Sequence, residues 1–109
     1  SDLLLGFPTA NIKLYDELCP RNGVYAVTVE RENGDKHKGV ANIGYSPTFD
    51  DHVFTVEVYV LDFDKNLYGE KIRVNFIQRI RDEKKFSSLS ELSEQIKKDV
   101  EAAREIISL

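Results

Sequence analysis

Cysteine is almost absent from this sequence: Cys19 is the single cysteine among 109 residues. One cysteine excludes an internal disulfide framework and any CxxC redox or metal motif, and it fits a reducing compartment. Long apolar runs are missing as well. No stretch approaches the ~18 residues of a membrane span, and the first five residues lack the basic region and the length of a signal peptide. We therefore expect a soluble, cytoplasmic protein with no membrane partner.

Positive charge is in the minority. The chain has 15 Lys and Arg residues against 19 Asp and Glu residues, which gives a formal net charge of -4. A broad nucleic-acid surface needs clustered positive charge, so we expect no nucleic-acid partner. With 41% hydrophobic and 31% charged residues, the composition is that of one globular domain with a modest core.

The familiar phosphate and metal motifs are also missing. The sequence contains no GxxxxGK[ST] loop and no GxGxxG, so it predicts neither a P-loop nor a Rossmann nucleotide site. HExxH and EF-hand patterns are absent, and His37 and His52 have no partner at ligand spacing. We expect both histidines to be ordinary surface or strand residues.

Hydrophobic periodicity predicts one helix, at about residues 89–107. Apolar residues recur there at steps of three and four and share one face, and charged residues such as Asp99 lie elsewhere. Ser88 and Glu91 have the spacing of a capping box. The predicted buried face consists of Leu89, Leu92, Ile96, Val100, Ala103 and Ile107.

Four runs upstream of the helix read as antiparallel strands. Asn33-Gly34, between the first two, suits a type I′ hairpin turn. In the last run Ile72, Val74 and Phe76 alternate with polar residues, as in a strand with one dry face. Four close strands and a single helix favour a small closed or nearly closed barrel. The predicted strands cover residues 25–30, 36–43, 53–61 and 71–78.

The segment Gly6-Phe7-Pro8-Thr9-Ala10-Asn11 is the first candidate site. If it is extended, Thr9 and Asn11 face the same side and offer a hydroxyl and an amide oxygen to one ligand. Such oxygen ligands suit Mg²⁺, which keeps several waters and binds substrate phosphates. The alternative is a Gly-Pro turn in which both side chains cap local amides.

Glu57 is the second candidate. Period-two alternation places it on the face of its strand opposite to Val56 and Val58. A carboxylate in the middle of an apolar strand is either a solvent-facing residue or a base held beside a ligand. The alternation alone leaves both interpretations open.

The third candidate is residues 79–86, between the last strand and the helix. Basic residues outnumber acidic ones there, and the segment ends in Phe86, an aromatic that could stack on a planar ring. Arginine suits phosphate or an aromatic face. The alternative is a solvated loop whose Phe86 packs on the helix.

Taken in order, several short motifs resemble the riboflavin kinases, in the form of the kinase module of bacterial bifunctional FAD synthetases. No single motif is specific, but the ordered set covers nearly the whole chain. The motifs are Gly6-Phe7-Pro8-Thr9-Ala10-Asn11, Asn22-Gly23-Val24-Tyr25, Gly39-Val40-Ala41-Asn42-Ile43-Gly44, Pro47-Thr48-Phe49, Val56-Glu57-Val58, Leu61-Asp62-Phe63, Leu67-Tyr68-Gly69 and the junction from Arg81 to Phe86.

The resemblance implies a mainly β fold over residues 1–109: a six-stranded antiparallel Greek-key barrel with a C-terminal helix. It implies transfer of a phosphoryl group from ATP to the ribityl 5′-hydroxyl of riboflavin, giving FMN and ADP, with Mg²⁺ as cofactor. It also implies an FMN adenylyltransferase domain upstream. Relatives carry a strand and a glycine-rich basic turn ahead of the first motif, where residues 1–5 stand here, so we expect the first strand to be missing.

The resemblance also assigns roles to individual residues. Thr9 and Asn11 match the contacts to Mg²⁺ and the nucleotide phosphates, Glu57 the base, Val60 and Asp62 positions near the nucleotide, and Arg81, Lys84 and Phe86 the flavin-binding stretch. The alternatives are a non-catalytic flavin- or nucleotide-binding barrel and a plain interaction module. Neither alternative needs a base.

Overall fold

The computed structural model describes residues 3–4, 7–15, 21–45 and 53–109, and of residues 3–4, 7–15 and 53–54 it describes the backbone alone. Cys19, His52 and the motif Pro47-Thr48-Phe49 lie outside the described residues. The elements are β1 (Leu3–Leu4), β2 (Phe7–Tyr15), β3 (Gly23–Arg31), β4 (Lys36–Tyr45), β5 (Val53–Val60), β6 (Ile72–Arg81) and α1 (Leu89–Ile106).

The strands form an antiparallel sheet in the order β1-β2-β5-β4-β3-β6, and α1 packs against β3, β4 and β6. The predicted mainly β architecture with a C-terminal helix is therefore confirmed. Within the described strands, β6 pairs with β3 alone, and the sheet stays open between its terminal strands β6 and β1. In the same part of the chain, no helix is long and apolar enough to cross a membrane.

Both faces of the sheet are covered by apolar side chains. Valine and isoleucine suit a pleated surface, and β5 alternates so that Val56 and Val58 lie in one cluster while Tyr59 lies in the other, beneath α1. In β3 the ordinary alternation of a strand packs Ala26 under α1 and Val27 on the opposite face, and the pairing with β6 shifts register between these two residues. The helix-covered cluster consists of Val24, Ala26, Val40, Tyr59, Leu61, Ile96, Val100, Ala103 and Ile107.

The hairpin between β3 and β4 corrects one prediction. The amide of Gly34 donates to the carbonyl of Arg31 at 3.0 Å, and Gly34 has φ +91°. Asn33 has no positive φ, so the type I′ turn predicted from Asn33-Gly34 is wrong. The geometry is a three-residue loop that ends in a left-handed glycine, and Asn33 Oδ1 instead accepts a hydrogen bond from the amide of Asp35 at 3.0 Å.

The helix begins where the sequence predicts and buries the predicted face, with Leu89 as the exception and Asp99 as an addition. Ser88 Oγ accepts from the amide of Glu91 at 3.2 Å, which confirms the cap, although the Glu91 carboxylate reaches back to Ser87 and not to Ser88. Leu89 is 70% exposed, since it sits in the first turn of the helix, and its predicted burial is wrong. Asp99 was placed among the solvent-facing charges, but it is buried on the sheet-facing side.

Only the first part of strand β6 has the buried face that the alternation predicts. Ile72 and Val74 are half-buried, as predicted, against the apolar cluster on the face opposite α1. This valine-rich cluster consists of Val27, Val29, Ala41, Ile43, Val56, Val58, Val60 and Leu67. Phe76 is 42% exposed, contrary to the prediction, and its ring meets the edge of Tyr25 with centroids 5.3 Å apart. A strand at the edge of a sheet has a neighbour on one side only, which leaves a large side chain partly open to solvent.

Candidate functional site

A row of directly opposed residues crosses the sheet. Asn11 pairs with Glu57, Glu57 with Asn42, Asn42 with Val24, and Val24 with Arg81. Opposed residues of antiparallel strands share one face of the sheet. The register therefore brings residues from five strands into a single line.

A cavity of about 230 Å³ opens on this row, on the face that also carries α1. The sheet forms its floor, and residues 83–86 and the helix form its sides. It is lined by Val24, Asn42, Glu57, Tyr59, Arg81, Glu83, Lys84, Phe86, Leu92 and Asp99. Glu57, Arg81, Lys84 and Phe86 were all predicted as site residues.

Glu57 and Tyr59 form a hydrogen-bonded pair in the floor of the cavity. They are two apart in β5, so both point to the helix-covered face. The hydroxyl of Tyr59 donates to Glu57 Oε1 at 2.8 Å. Burial raises the pKa of Tyr59 well above its ordinary value, and the hydrogen bond to Glu57 raises it further. Tyr59 is therefore a neutral donor at all physiological pH values.

Arg81 is held by the helix. Its Nε and one terminal nitrogen donate to the two carboxylate oxygens of Asp99, both at 2.8 Å. Gln95 adds a third hydrogen bond to Asp99 at 3.1 Å, and the side chain of Asp99 is only 4% exposed. The Arg81 guanidinium lies 5.9 Å from the centroid of the Phe86 ring. This network fixes the guanidinium beside the cavity and balances its charge.

The segment that carries Lys84 and Phe86 is anchored at its start. Arg79 donates to Asp82 Oδ1 at 2.6 Å, and this hydrogen bond lowers the pKa of Asp82 below its ordinary range. Asn22 Nδ2 donates to Glu83 Oε1 at 3.2 Å. Lys84 is exposed and Phe86 is half-buried, so the cavity presents an aromatic wall with a cation at its rim.

Of the remaining predicted site residues, Val60 and Asp62 do not line the cavity, and Thr9 and Asn11 are described by their backbone alone. The side chain of Val60 is buried in the valine-rich cluster on the opposite face of β5. Asp62 is exposed and accepts hydrogen bonds from Arg104 at 2.8 and 3.1 Å. Thr9 and Asn11 stand at register positions opposite Tyr59 and Glu57, and their side chains lie outside the described part of the structure.

Asn42, Tyr59 and Asp99 are among the cavity residues that were not predicted as site residues. Tyr59 lies two residues after Glu57, so the alternation of the strand already predicted that both share one face. Asp99 lies three residues after Ile96 and four before Ala103, so its spacing already matched the buried stripe. Asn42 Oδ1 is buried and has no hydrogen-bond partner among the residues that the structure describes. Only the register of the sheet reveals that Asn42 lies beside Glu57.

The donor set fits a magnesium ion that is held mainly by its substrate. The described residues contain no group of three or more His, Cys, Asp or Glu side chains that could hold a metal. Mg²⁺ is commonly bound through few protein oxygens together with water and phosphate. Thr9 and Asn11 carry such oxygens, and their backbone lies next to the two β5 residues that line the cavity.

Comparison with known proteins identifies the family. The profile of the riboflavin kinases, or flavokinases, matches residues 3–107. The chain belongs to the riboflavin kinase family. A bifunctional riboflavin kinase/FMN adenylyltransferase of Haemophilus influenzae is 46% identical over 100 residues, which cover 92% of this chain and 32% of that protein. The enzyme of the same name from Escherichia coli K12 is 44% identical over 105 residues, 96% of this chain and 34% of that protein.

Two further similarities carry other descriptions. The RNA-binding riboflavin kinase RibR of Bacillus subtilis is 44% identical over 88% of this chain and 41% of its own length. A crystal structure described as a macrolide-efflux protein from Streptococcus pneumoniae superposes with a TM-score of 0.80 and 41% identity, over 91% of this chain and 33% of that one. This chain spans about a third of the length of the bifunctional relatives that it matches.

Proposed function

We propose that this chain is the domain that phosphorylates riboflavin in a bifunctional riboflavin kinase/FMN adenylyltransferase. It transfers the γ-phosphoryl group of ATP to the ribityl 5′-hydroxyl of riboflavin and releases FMN and ADP. Its partners are then the two small-molecule substrates and an FMN adenylyltransferase domain upstream in the same chain. The family membership of residues 3–107 and the names of the bifunctional relatives support this proposal.

The observation that carries the proposal is the convergence of Glu57 with Arg81 and Phe86 in one cavity. These residues come from β5, from the end of β6 and from the segment before the helix. A base, a cation and an aromatic ring in one cavity suit a ligand with a hydroxyl group and a planar ring system. Riboflavin has both.

Glu57 is proposed to act as the general base. Its carboxylate accepts the proton of the 5′-hydroxyl as the hydroxyl oxygen forms a bond to the γ-phosphorus of ATP, and the bond from that phosphorus to the bridging oxygen breaks to release ADP. A protein that catalyses phosphoryl transfer mainly positions the reactants and neutralises the charge of the phosphoryl group. Tyr59 occupies Glu57 Oε1, which leaves Oε2 for the substrate.

The flavin ring system is proposed to lie against Phe86, with Lys84 at the rim of the cavity. Arg81 stays bound to Asp99 and keeps two N–H groups for the ligand, since three of its five enter hydrogen bonds with the described residues. Asn42 Oδ1, buried without a partner in the described part of the chain, marks polar surface on the floor. An unsatisfied buried acceptor is costly, and a ligand hydroxyl that bonds it would strengthen binding.

The nucleotide is proposed to lie at the β2 side of Glu57. Thr9 and Asn11 would hold Mg²⁺ there, and Mg²⁺ neutralises charge on the triphosphate when it is bound. Val60 and Asp62 remain proposed contacts of the nucleotide. Val60 can supply only its backbone, because its side chain is in the core, whereas the Asp62 carboxylate is exposed.

We also propose that the sheet closes as the six-stranded Greek-key barrel that the resemblance implies. Three consecutive hairpin-connected strands, β3, β4 and β5, are followed in space by β2, which lies beside β5. That connectivity is the Greek-key arrangement. The exposed side chains of Phe76 and Ile77 on β6 are consistent with an edge that a further strand covers.

The test is the formation of FMN from riboflavin and MgATP, measured by chromatography, with the protein that carries this sequence at its natural length. Glu57→Gln should keep riboflavin affinity and lower kcat by roughly 10²- to 10⁴-fold, as expected for loss of a general base. Glu101→Gln, at an exposed carboxylate of α1, is the matched control and should turn over at the wild-type rate. Quenching of flavin fluorescence without FMN would show a non-catalytic flavin binder and overturn the proposal.

A further inference from the structure

Within the described part of the chain, Tyr59 is the side chain that donates a hydrogen bond to Glu57. Its hydroxyl lies 2.8 Å from Glu57 Oε1, and both residues line the same cavity. The glutamate reaches the cavity through three rotatable bonds. Without a donor its carboxylate would be free to adopt several rotamers.

Tyr59 is itself immobile. It is 8% exposed and belongs to the cluster between the sheet and α1, where Val40, Leu61 and Ile96 are its fellow members. A tyrosine ring has two rotatable bonds, and dense packing restricts both of them. The hydroxyl is therefore a fixed point from which the carboxylate can be oriented.

No other group in the described cavity takes over this task. Arg81 donates to both oxygens of Asp99 and to the carbonyl of Asp82, and none of its described hydrogen bonds reaches Glu57. Asn42 stands opposite Glu57 in the sheet, but the hydrogen bond described for the Glu57 carboxylate comes from Tyr59 and not from the Asn42 amide. Lys84 and Glu83 are exposed residues of the segment before the helix.

We infer that Tyr59 is a positioning residue for phosphoryl transfer: by binding Oε1 it turns Oε2 of Glu57 toward the hydroxyl of the substrate. The inference rests on the proposed function, because it assigns a role to the residue that holds the proposed base. Tyr59 affects the reaction only through its hydrogen bond to Glu57. Its loss must therefore lower turnover and leave substrate binding nearly unchanged.

The experiment is a double-mutant cycle on the protein at its natural length. Tyr59→Phe keeps the ring that packs under α1 and removes only the hydroxyl. We expect kcat to fall roughly 10- to 100-fold, as for a misplaced catalytic group, with KM for riboflavin within about twofold of wild type. In the Glu57→Gln background the same change should leave the residual kcat almost unaltered, since the base through which Tyr59 acts is gone.

Tyr25→Phe is the matched control. The hydroxyl of Tyr25 also donates a short hydrogen bond, 2.6 Å to the carbonyl of Arg21, but Tyr25 does not line the cavity. We expect wild-type kcat from this variant.

A wild-type kcat for Tyr59→Phe would overturn the inference and leave the proposed function standing. An equal loss of kcat in the wild-type and Glu57→Gln backgrounds would also overturn it, because it would indicate a structural effect that is independent of Glu57. Absence of FMN formation by the wild-type protein would instead contradict the proposed function, and the role of Tyr59 would fall with it.

Discussion

The ion pair between Arg81 and Asp99 joins the last strand to the helix and should dominate the stability of that junction. The Asp99 side chain is 4% exposed, and that of Arg81 is mostly covered as well. Asp99→Asn removes the negative charge and one of the two matched acceptors, and leaves the guanidinium buried without a counter-charge. Breaking a buried pair from one side is far more costly than losing a surface pair.

The expected magnitude follows from that burial. Loss of one partner of a buried ion pair costs about 3 kcal/mol or more. With an unfolding entropy of about 2.1 cal/mol/K per residue, a domain of this size should lose roughly 13 °C in Tm. Arg81 also stands beside Phe86 in the cavity, so riboflavin affinity should weaken together with stability.

The assay is thermal unfolding followed by circular dichroism, and the chain contains its own control. Arg104 and Asp62 form the same two-bonded arrangement, at 2.8 and 3.1 Å, but their side chains are 42% and 69% exposed. Asp62→Asn should therefore cost less than about 1 kcal/mol. If the two substitutions lower Tm equally, burial does not decide the strength of these pairs and the reasoning is refuted.

Two further predictions concern a substitution of Asn42 and the loss of folding stability at low pH. Asn42→Leu removes a buried acceptor that has no partner among the described residues. The free energy of unfolding should therefore stay constant or rise by up to about 1 kcal/mol, while kcat/KM for riboflavin falls. A clear drop in Tm would contradict this. Hydrogen bonds from Arg104 lower the pKa of Asp62 in the folded chain below its ordinary value near 3.9. The stability gained is present above about pH 4 and is lost as pH falls through the lower folded pKa, so the advantage of wild type over Asp62→Asn should shrink in urea titrations as pH falls below about 4.

Local patterns predicted the local structure well. The alternation in β5 separated Val56 and Val58 from Glu57 as the structure does, and Ser88 caps the helix. These features depend on residues that are close in sequence, because the pleat of a strand and the first turn of a helix span only a few residues.

Two predictions of local structure were wrong, one for the hairpin turn and one for the first turn of the helix. Asn33-Gly34 carried a good hairpin signal, but the turn closed one residue earlier than expected, from Arg31 to Gly34. Leu89 follows the helical period of the buried face, yet it lies in the first turn and remains exposed. Periodicity indicates which residues share a face, and the length of the packed partner decides how much of that face is covered.

Family membership, the mainly β fold with a terminal helix, and four residues of the cavity could be inferred from the sequence alone. Glu57 and Phe86 are recognisable there because their residue types are unusual where they stand. The places of Asn42 and Asp99 in the cavity were decided only by the tertiary structure. Strand register places Asn42 beside Glu57, and docking of α1 places Asp99 on Arg81. Both contacts join residues far apart in the chain, so no short pattern records them, and the cavity exists only when sheet and helix are packed together.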